Sequence, residues 1–254
     1  MQLWTKDHAV TLLPAVAVMV LIGFVLRWLL KEKSETIRLI PYQVIACLLV
    51  VIEIGKQVIS FKGGYDLYHL PFHFCSLFIF MVPLMAFYRG KHKQTVRAIT
   101  SALCMSVFLM MMIYPCLIYG DWNIRGFFTE YISFHTVVFH NLVVFVSTLT
   151  VLLPIHEPAP KREAKAAAVF TACFCAVSAT MAQLLKTNFN NFYVCNIPPL
   201  EVVRQSVETA CGSVAAMLLY VLIVSVLDIL FVQMAYRLYR LLRKLTVEKE
   251  KIAQ

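Results

Sequence analysis

The sequence predicts an all-α protein: a polytopic transmembrane bundle of seven helices, with its N-terminus outside and its C-terminus in the cytoplasm. The 254 residues are 60% hydrophobic and only 15% charged, whereas soluble domains are about 45–50% apolar and about 25% charged. The apolar residues fall into long uninterrupted stretches, and most basic residues lie on alternate connections between them. Because barrel strands alternate polar with apolar residues, such stretches indicate helices.

Each stretch is close to the roughly 20 residues that an α-helix needs to cross about 30 Å of hydrocarbon. The first is longer than the apolar part of a signal peptide and is followed by Lys31 and Lys33, so we expect a retained anchor. No shift in composition marks a domain boundary, which predicts one domain over residues 1–254. In chain order the stretches are 9–30, 40–60, 69–88, 98–119, 131–153, 166–185 and 209–236.

The basic residues predict the orientation. Seventeen of the 23 Lys and Arg lie on the first, third and fifth connections and the C-terminal tail. The positive-inside rule places these segments in the cytoplasm, and the two termini then lie on opposite sides, which requires an odd number of spans. The net charge of +9 therefore reflects topology. We expect it to attract anionic headgroups of the inner leaflet and no nucleic acid.

Most polar residues within the spans lie at one depth, towards the outer leaflet. An ionisable group at the bilayer centre costs roughly 2.5 to 3.5 kcal/mol, so such groups usually face a bundle interior or a wet cavity. We therefore predict a polar pocket that opens towards the outer leaflet. Its candidate residues are Glu53, Lys56, Gln57, His69, His73, Cys75, Ser76, His135, His140, Asn141 and Asn188.

Helical spacing predicts which of these groups act together. In the third stretch, His69, His73 and Ser76 follow spacings of four and three residues and would share one face. Cys75 would lie about 200° from His73 around the helix axis. Cys75 therefore need not face the pocket.

In the second stretch, Glu53, Lys56 and Gln57 share a face, and Glu53 can form an ion pair with Lys56 one turn away. In the fifth stretch, His135 and His140 are about 140° apart around the helix axis. We therefore expect only one of these two histidines to face the interior of the bundle.

Three short motifs carry a resemblance to a known family. The motif "LPFHFCSLFIF" with an upstream Glu, "HNLVVF" in a later helix and "TNF" after the next one resemble the bacterial YwaF-like integral membrane proteins. The pattern of that family is Leu-Pro-x-His-x-Cys-Ser, a His before an apolar run, and Thr-Asn-Tyr. The resemblance covers most of the chain and implies a multi-pass protein of a bacterial plasma membrane.

That family is similar, more distantly, to animal transmembrane protein 164, an acyltransferase that builds ether phospholipids with a cysteine nucleophile and a histidine. The resemblance implies that His140 is the catalytic histidine and that His73 directly follows the nucleophile. In this sequence Phe72 stands where that cysteine would be. Acyl transfer would therefore have to use Cys75 or Ser76, or not occur.

The residues of an acyltransferase are nevertheless present, with membrane phospholipid as the substrate and no cofactor. Cys75 or Ser76 would be the nucleophile, and His140 or His73 would be its base. The remaining parts are supplied by other polar residues of the predicted pocket. Glu53 or Asn141 would orient the base, and Lys56 or Asn188 would stabilise the oxyanion.

Two other classes of function remain open. His69, His73, His140 and Glu53 are competent ligands for a divalent metal, which would make the protein a metal-dependent lipid hydrolase. Alternatively, Glu53, Lys56 and the histidines would form the binding or relay site of a small-solute or proton-coupled transporter.

Further features remain open at the level of sequence. Asp228 in the inner half of the last span predicts either a structural pairing or a second polar contact. Cys195 and Cys211 would form a disulfide if their side of the membrane is oxidising. The outer connection 186–208 could cover the pocket. The oligomeric state is not indicated.

Overall fold

The computed structural model of the protein describes residues 3–120, 123–156, 159–195 and 198–252. These residues form helices and connections, with no strand among them. Short 3₁₀ turns occupy Leu67–His69, Phe74–Leu77 and Phe189–Asn191. The helices are α1 (Lys6–Leu30), α2 (Glu35–Arg38), α3 (Ile40–Lys62), α4 (Phe78–Phe87), α5 (Lys93–Ile113), α6 (Pro115–Tyr119), α7 (Ile124–Thr129), α8 (Tyr131–Leu152), α9 (Pro160–Leu185), α10 (Pro198–Cys211) and α11 (Ser213–Ile252).

Six helical regions of the described chain are long and apolar enough to cross a membrane. They correspond to six of the seven predicted stretches. The predicted fourth stretch is divided, because α5 ends at Ile113 and the separate helix α6 begins at Pro115. Proline has no backbone N–H to continue a helix and is favoured at the first helical position. The six regions are Lys6–Leu30, Glu35–Lys62, Lys93–Ile113, Tyr131–Leu152, Lys161–Leu185 and Ser213–Thr246.

The prediction of a continuous third helix over residues 69–88 is wrong. The helix α4 begins only at Phe78, and both Leu70 and His73 have extended backbone. Pro71 explains the first break, because a proline disfavours the helical conformation of the residue before it. The predicted shared face of His69, His73 and Ser76 is lost with the helix, and the count of seven helical spans is not confirmed.

Helix α8 lies at the centre of the bundle, in contact with α1, α3, α5 and α11. Two glycines allow the close approach of its neighbours. A Cβ atom on Gly23 of α1 would lie 2.8 Å from Cδ1 of Leu152. Gly55 of α3 lies directly against the hydroxyl of Tyr131, which donates to the carbonyl of Ile52 at 2.9 Å. A larger residue at either position would have to displace the side chain of Leu152 or of Tyr131.

The C-terminal end of α8 is held by a set of side-chain donors. Five consecutive carbonyls, those of the last residue of α8 and of the four residues after it (152–156), accept hydrogen bonds from five other helices. We call these carbonyls the carbonyl hub. The pairs are Arg27 with Leu152, Tyr42 with Leu153, Arg38 with Pro154, Arg97 with Ile155 and Arg243 with His156.

The hub also shows which helix ends lie together. Glu35, before α3, pairs with Lys93 at the start of α5 at 3.1 Å and with Arg97 at 2.9 Å. Helices α3 and α5 therefore begin at the same end of the bundle. The opposite end holds Asp7 of α1, whose carboxylate accepts from the backbone N–H of Ile124 at 3.1 Å. The candidate site lies towards this opposite end.

Candidate functional site

A buried carboxylate on α3 has three side-chain donors. Glu53 is only 7% exposed. Its oxygens accept from Nε2 of His135 at 2.8 Å, from Nε2 of Gln57 at 2.7 Å and from Nζ of Lys56 at 3.0 Å. Because an ionised carboxylate only accepts, Nε2 of His135 carries the proton. We call these four residues the acid cluster. The ion pair expected between Glu53 and Lys56 is present.

The acid cluster is tied to the irregular segment before α4. Gln57 also donates to the backbone carbonyl of His69 at 3.1 Å and accepts from the hydroxyl of Tyr65 at 2.9 Å. His69 therefore meets the cluster through its backbone, while its ring lies against Tyr65 with centroids 6.3 Å apart. Gln57 thus fixes the chain that leaves α3.

His140 occupies a different face of α8 from His135. Its Nδ1 donates to the carbonyl of Thr136 at 2.6 Å, so Nε2 of the neutral ring holds the lone pair. That Nε2 is buried and has no hydrogen-bond partner in the described part of the protein. The prediction that only one of the two histidines faces the interior is wrong, since His135 and His140 are 6% and 7% exposed. Neighbouring helices cover α8 on several sides.

The surroundings of His140 include residues that sequence reasoning missed. The ring of Tyr119 packs against both His140 and His8, with centroids 6.3 Å and 5.7 Å away. Its hydroxyl accepts from Nδ2 of Asn141 at 3.0 Å. The thiol of Cys116 lies 3.4 Å from Nδ1 of His8. We call these five residues the tyrosine cluster. No sequence signal links His8 with Cys116, which is 108 positions away.

His73 lies where two of the quoted motifs meet. Its Nε2 donates to the carbonyl of Tyr68 at 3.0 Å, and its ring packs 5.3 Å from that of Phe189. Phe72 packs against Phe189 at the same distance, and its carbonyl accepts from the hydroxyl of Ser178 at 2.7 Å. The segments "LPFHFCS" and "TNF" are therefore in contact.

The segment after α9 folds back into the bundle. Phe189 and Phe192 are fully buried, and Asn190 and Asn191 have left-handed backbone with φ of 48° and 60°. Asn190 donates to the carboxylate of Asp228 at 2.7 Å. Asp228 is thus in a structural pairing with this segment. Irregular backbone inside a membrane protein occurs where protein buries it or where it lines a cavity.

Several predicted partnerships are not formed. The side chain of Asn188 bonds to Asn191 and to the backbone of Tyr193 and Val194, within its own segment. Neither Cys75 nor Ser76 makes a side-chain hydrogen bond to a histidine in the described residues, although the backbone N–H of Ser76 donates to the carbonyl of His73.

The metal set of His69, His73, His140 and Glu53 is not gathered either. Across residues 3–120, 123–156, 159–195 and 198–252, no three or more His, Cys, Asp or Glu side chains group as metal ligands. The structure does not join Cys195 to Cys211 in a disulfide, which the sequence left open.

Comparison with known proteins gives one finding. The model of the TMEM164 family matches residues 3–236, which is nearly the whole chain. No curated protein and no solved structure matches significantly. The match agrees with the all-helical fold and with the six helices that can each cross a membrane. This chain therefore belongs to the TMEM164 family and is a multi-pass integral membrane protein.

Proposed function

We propose that this protein handles phospholipids of the outer leaflet and transfers an acyl chain between them, with His140 as a general base. One observation carries the proposal: Nε2 of His140 is buried, holds a lone pair and has no partner among the described residues. Leaving a buried polar atom unpaired costs about 1–3 kcal/mol. A bound hydroxyl would supply the missing partner, and its proton would pass to Nε2.

The proposed topology has seven crossings, with the N-terminus outside. Its support is that α3 and α5 begin at the same end of the bundle, as the pairing of Glu35 with Lys93 requires. The chain must then return through residues 63–92 between them. Residues 63–77 with α4 would make this crossing. The candidate site lies at the end opposite the basic connections, which the positive-inside rule places outside.

The structure supports a changed assignment of the supporting residues. Glu53 binds His135 rather than His140, so it would orient His135. Asn141 bonds to Tyr119 beside His140 and remains a candidate for positioning the base. Cys75, Ser76 and His73 remain candidates for contact with the lipid ester. Lys56 is paired with Glu53, and Asn188 bonds within its own segment, which weakens both oxyanion assignments.

The test is mass spectrometry of membrane lipids in cells that express the wild type or His140→Asn at equal membrane levels. Asparagine retains an N–H donor that can reach the Thr136 carbonyl but has no basic lone pair, so it separates packing from proton transfer. We expect the wild type to shift the acyl composition of phospholipids and His140→Asn to abolish the shift. His92→Asn, at an exposed position, is the matched control.

An identical lipid profile for wild type and His140→Asn would overturn the acyltransferase. The next assay would then be transport through the same pocket, since the acid cluster also has the residues of a binding or relay site. Cys75→Ala and Ser76→Ala in the same experiment test the two nucleophiles that the sequence predicts.

A further inference from the structure

One arginine of the carbonyl hub has no counter-charge. Arg97 is fully buried and pairs with the carboxylate of Glu35 at 2.9 Å. Arg38, the last residue of α2, is half-buried and makes one side-chain hydrogen bond, from Nη1 to the carbonyl of Pro154 at 2.9 Å. Among the described residues, no carboxylate forms an ion pair with Arg38. Because a charge taken partly out of water without a partner costs free energy, its guanidinium favours a bound anion.

The unpaired side of the Arg38 guanidinium is the side that suits a phosphate. Its Nε is buried and has no hydrogen-bond partner in the described part of the protein. Its Nη2 makes no hydrogen bond to the described residues either. The N–H groups of Nε and Nη2 project in parallel from one edge of the planar group, and such a fork matches two oxygens of a phosphate. The bond from Nη1 to Pro154 holds the group in place and leaves this fork unused.

The fork lies where the headgroup of a phospholipid can reach it. Arg38 is at the end of the bundle that carries the basic connections, two residues before α3 begins at Ile40. From there α3 presents a stripe of exposed apolar residues at helical spacing. In a membrane this stripe contacts acyl chains, so a lipid that lies along it would carry its phosphate near the level of Arg38. The stripe consists of Ile40, Val44, Leu48 and Val51.

We infer that Arg38 binds the phosphate of an anionic phospholipid from the leaflet on this side of the membrane, and that the lipid stabilises the carbonyl hub. An anionic lipid is favoured over a zwitterionic one because the basic connections around the hub attract negative headgroups and repel a headgroup ammonium. The site is at the end opposite the acid cluster. The inference therefore does not rest on the proposed acyl transfer, and each can fail without the other.

The test measures binding through stability, since a ligand that binds the folded chain raises its Tm. The purified full-length protein, in micelles of a neutral detergent, is titrated with phosphatidylglycerol, with phosphatidylcholine or with inorganic phosphate. We expect phosphatidylglycerol to raise Tm by about 3–6 °C at about ten times its Kd. The shift should shrink as salt is added, because salt screens charged contacts. Phosphatidylcholine should give a much smaller shift, and inorganic phosphate none.

Three variants assign the binding to Arg38. Arg38→Gln can still donate to the Pro154 carbonyl but has neither the charge nor the fork, so it should weaken the binding of phosphatidylglycerol by about ten-fold or more. Arg38→Lys keeps the charge without the fork and should bind with intermediate affinity. Lys33→Gln is the matched control, because it removes a positive charge from an exposed position on the same connection. It should bind as the wild type does.

Four results would overturn the inference. Equal affinity for phosphatidylglycerol in the wild type, Arg38→Gln and Arg38→Lys would exclude Arg38 as the site. A loss in Lys33→Gln as large as that in Arg38→Gln would show that the lipid responds only to the general charge of this face. An equal shift with phosphatidylcholine would exclude a preference for anionic lipid. An equal shift with inorganic phosphate would identify the free ion, rather than a lipid, as the ligand.

Discussion

At the scale of single residues, the acid cluster shows how a charge is kept inside a membrane protein. The carboxylate of Glu53 accepts from Lys56, Gln57 and His135, two of them from its own helix and one from α8. Such a pair adds little stability relative to apolar residues of the same size, because both charges have been taken out of water. Removing only one partner of the pair, in contrast, lowers the free energy of unfolding strongly, because the other charge stays behind unpaired.

We therefore expect Glu53→Gln to lower the free energy of unfolding by about 3–5 kcal/mol, since it leaves the largely buried Lys56 without its counter-charge. The double variant Glu53→Gln with Lys56→Met should recover most of this loss. Denaturant unfolding in detergent micelles measures these variants and the single variant Lys56→Met, and the double-mutant cycle that they complete gives the coupling energy. Lys62→Met, at the exposed end of the same helix, should change stability by less than about 0.5 kcal/mol. Equal losses in the single and double variants would contradict the pairing.

Residue-scale features differ in how far the sequence predicts them. The contact of Glu53 with Lys56 follows from spacing within one helix, so it could be predicted. The contact of Glu53 with His135 depends on the rotation of α8 against α3, and that of Cys116 with His8 on the packing of residues 108 positions apart. Neither contact can be predicted from the spacing of residues within one helix.

At the scale of elements, apolar runs predicted helices well and helix breaks poorly. The stretch 69–88 is apolar throughout its second half, but Pro71 and the extended residues before Phe78 shorten the helix to α4. A hydropathy pattern does not predict such an interruption of the helix, because a proline changes backbone geometry without changing the apolar character of the stretch. The contacts of His73 with Tyr68 and Phe189 follow from this break.

A histidine of the carbonyl hub, His156, predicts how the stability of the fold depends on pH. His156 follows α8, is 5% exposed and stacks on Tyr239 with centroids 6.0 Å apart. Burial, and then the charges of Arg243 and Arg97, lower the pKa of its imidazole from 6.5 to about 3. Between these two pH values the unfolded chain binds a proton that the folded chain does not. Stability should therefore fall as pH falls below about 6.5, by about 1.4 kcal/mol per pH unit from this group.

Thermal unfolding in detergent between pH 7.5 and pH 4.5 measures the effect. His156→Gln cannot titrate, so its stability should decline less steeply with falling pH than that of the wild type. His92→Gln changes an exposed histidine and should keep the wild-type slope. Superimposable profiles for His156→Gln and the wild type would contradict the assignment to His156.

At the scale of the whole molecule, two irregular segments meet inside the bundle. Residues 63–77 join α3 to α4, and residues 186–195 follow α9; Phe72 and Phe189 bring them into contact. Together with α9 and α11, Phe189 and Phe192 form a second apolar core beside the main one. The sequence predicted that polar residues gather towards one end. It did not predict that they divide into an acid cluster, a tyrosine cluster and this junction, because that division depends on how helices pack side by side.

The proposed seven crossings predict that Lys62 and Lys91 lie on opposite sides of the membrane, although α4 has only 10 residues. The exposed thiol of Cys211, at the end of α10, is first removed by Cys211→Ser because it would react from the outside. Lys62→Cys or Lys91→Cys is then introduced, each at an exposed position. A membrane-impermeant maleimide should label Lys62→Cys in right-side-out vesicles and Lys91→Cys in inside-out vesicles. If both label from the same side, residues 63–92 do not cross, only six spans remain, and the two termini lie on one side.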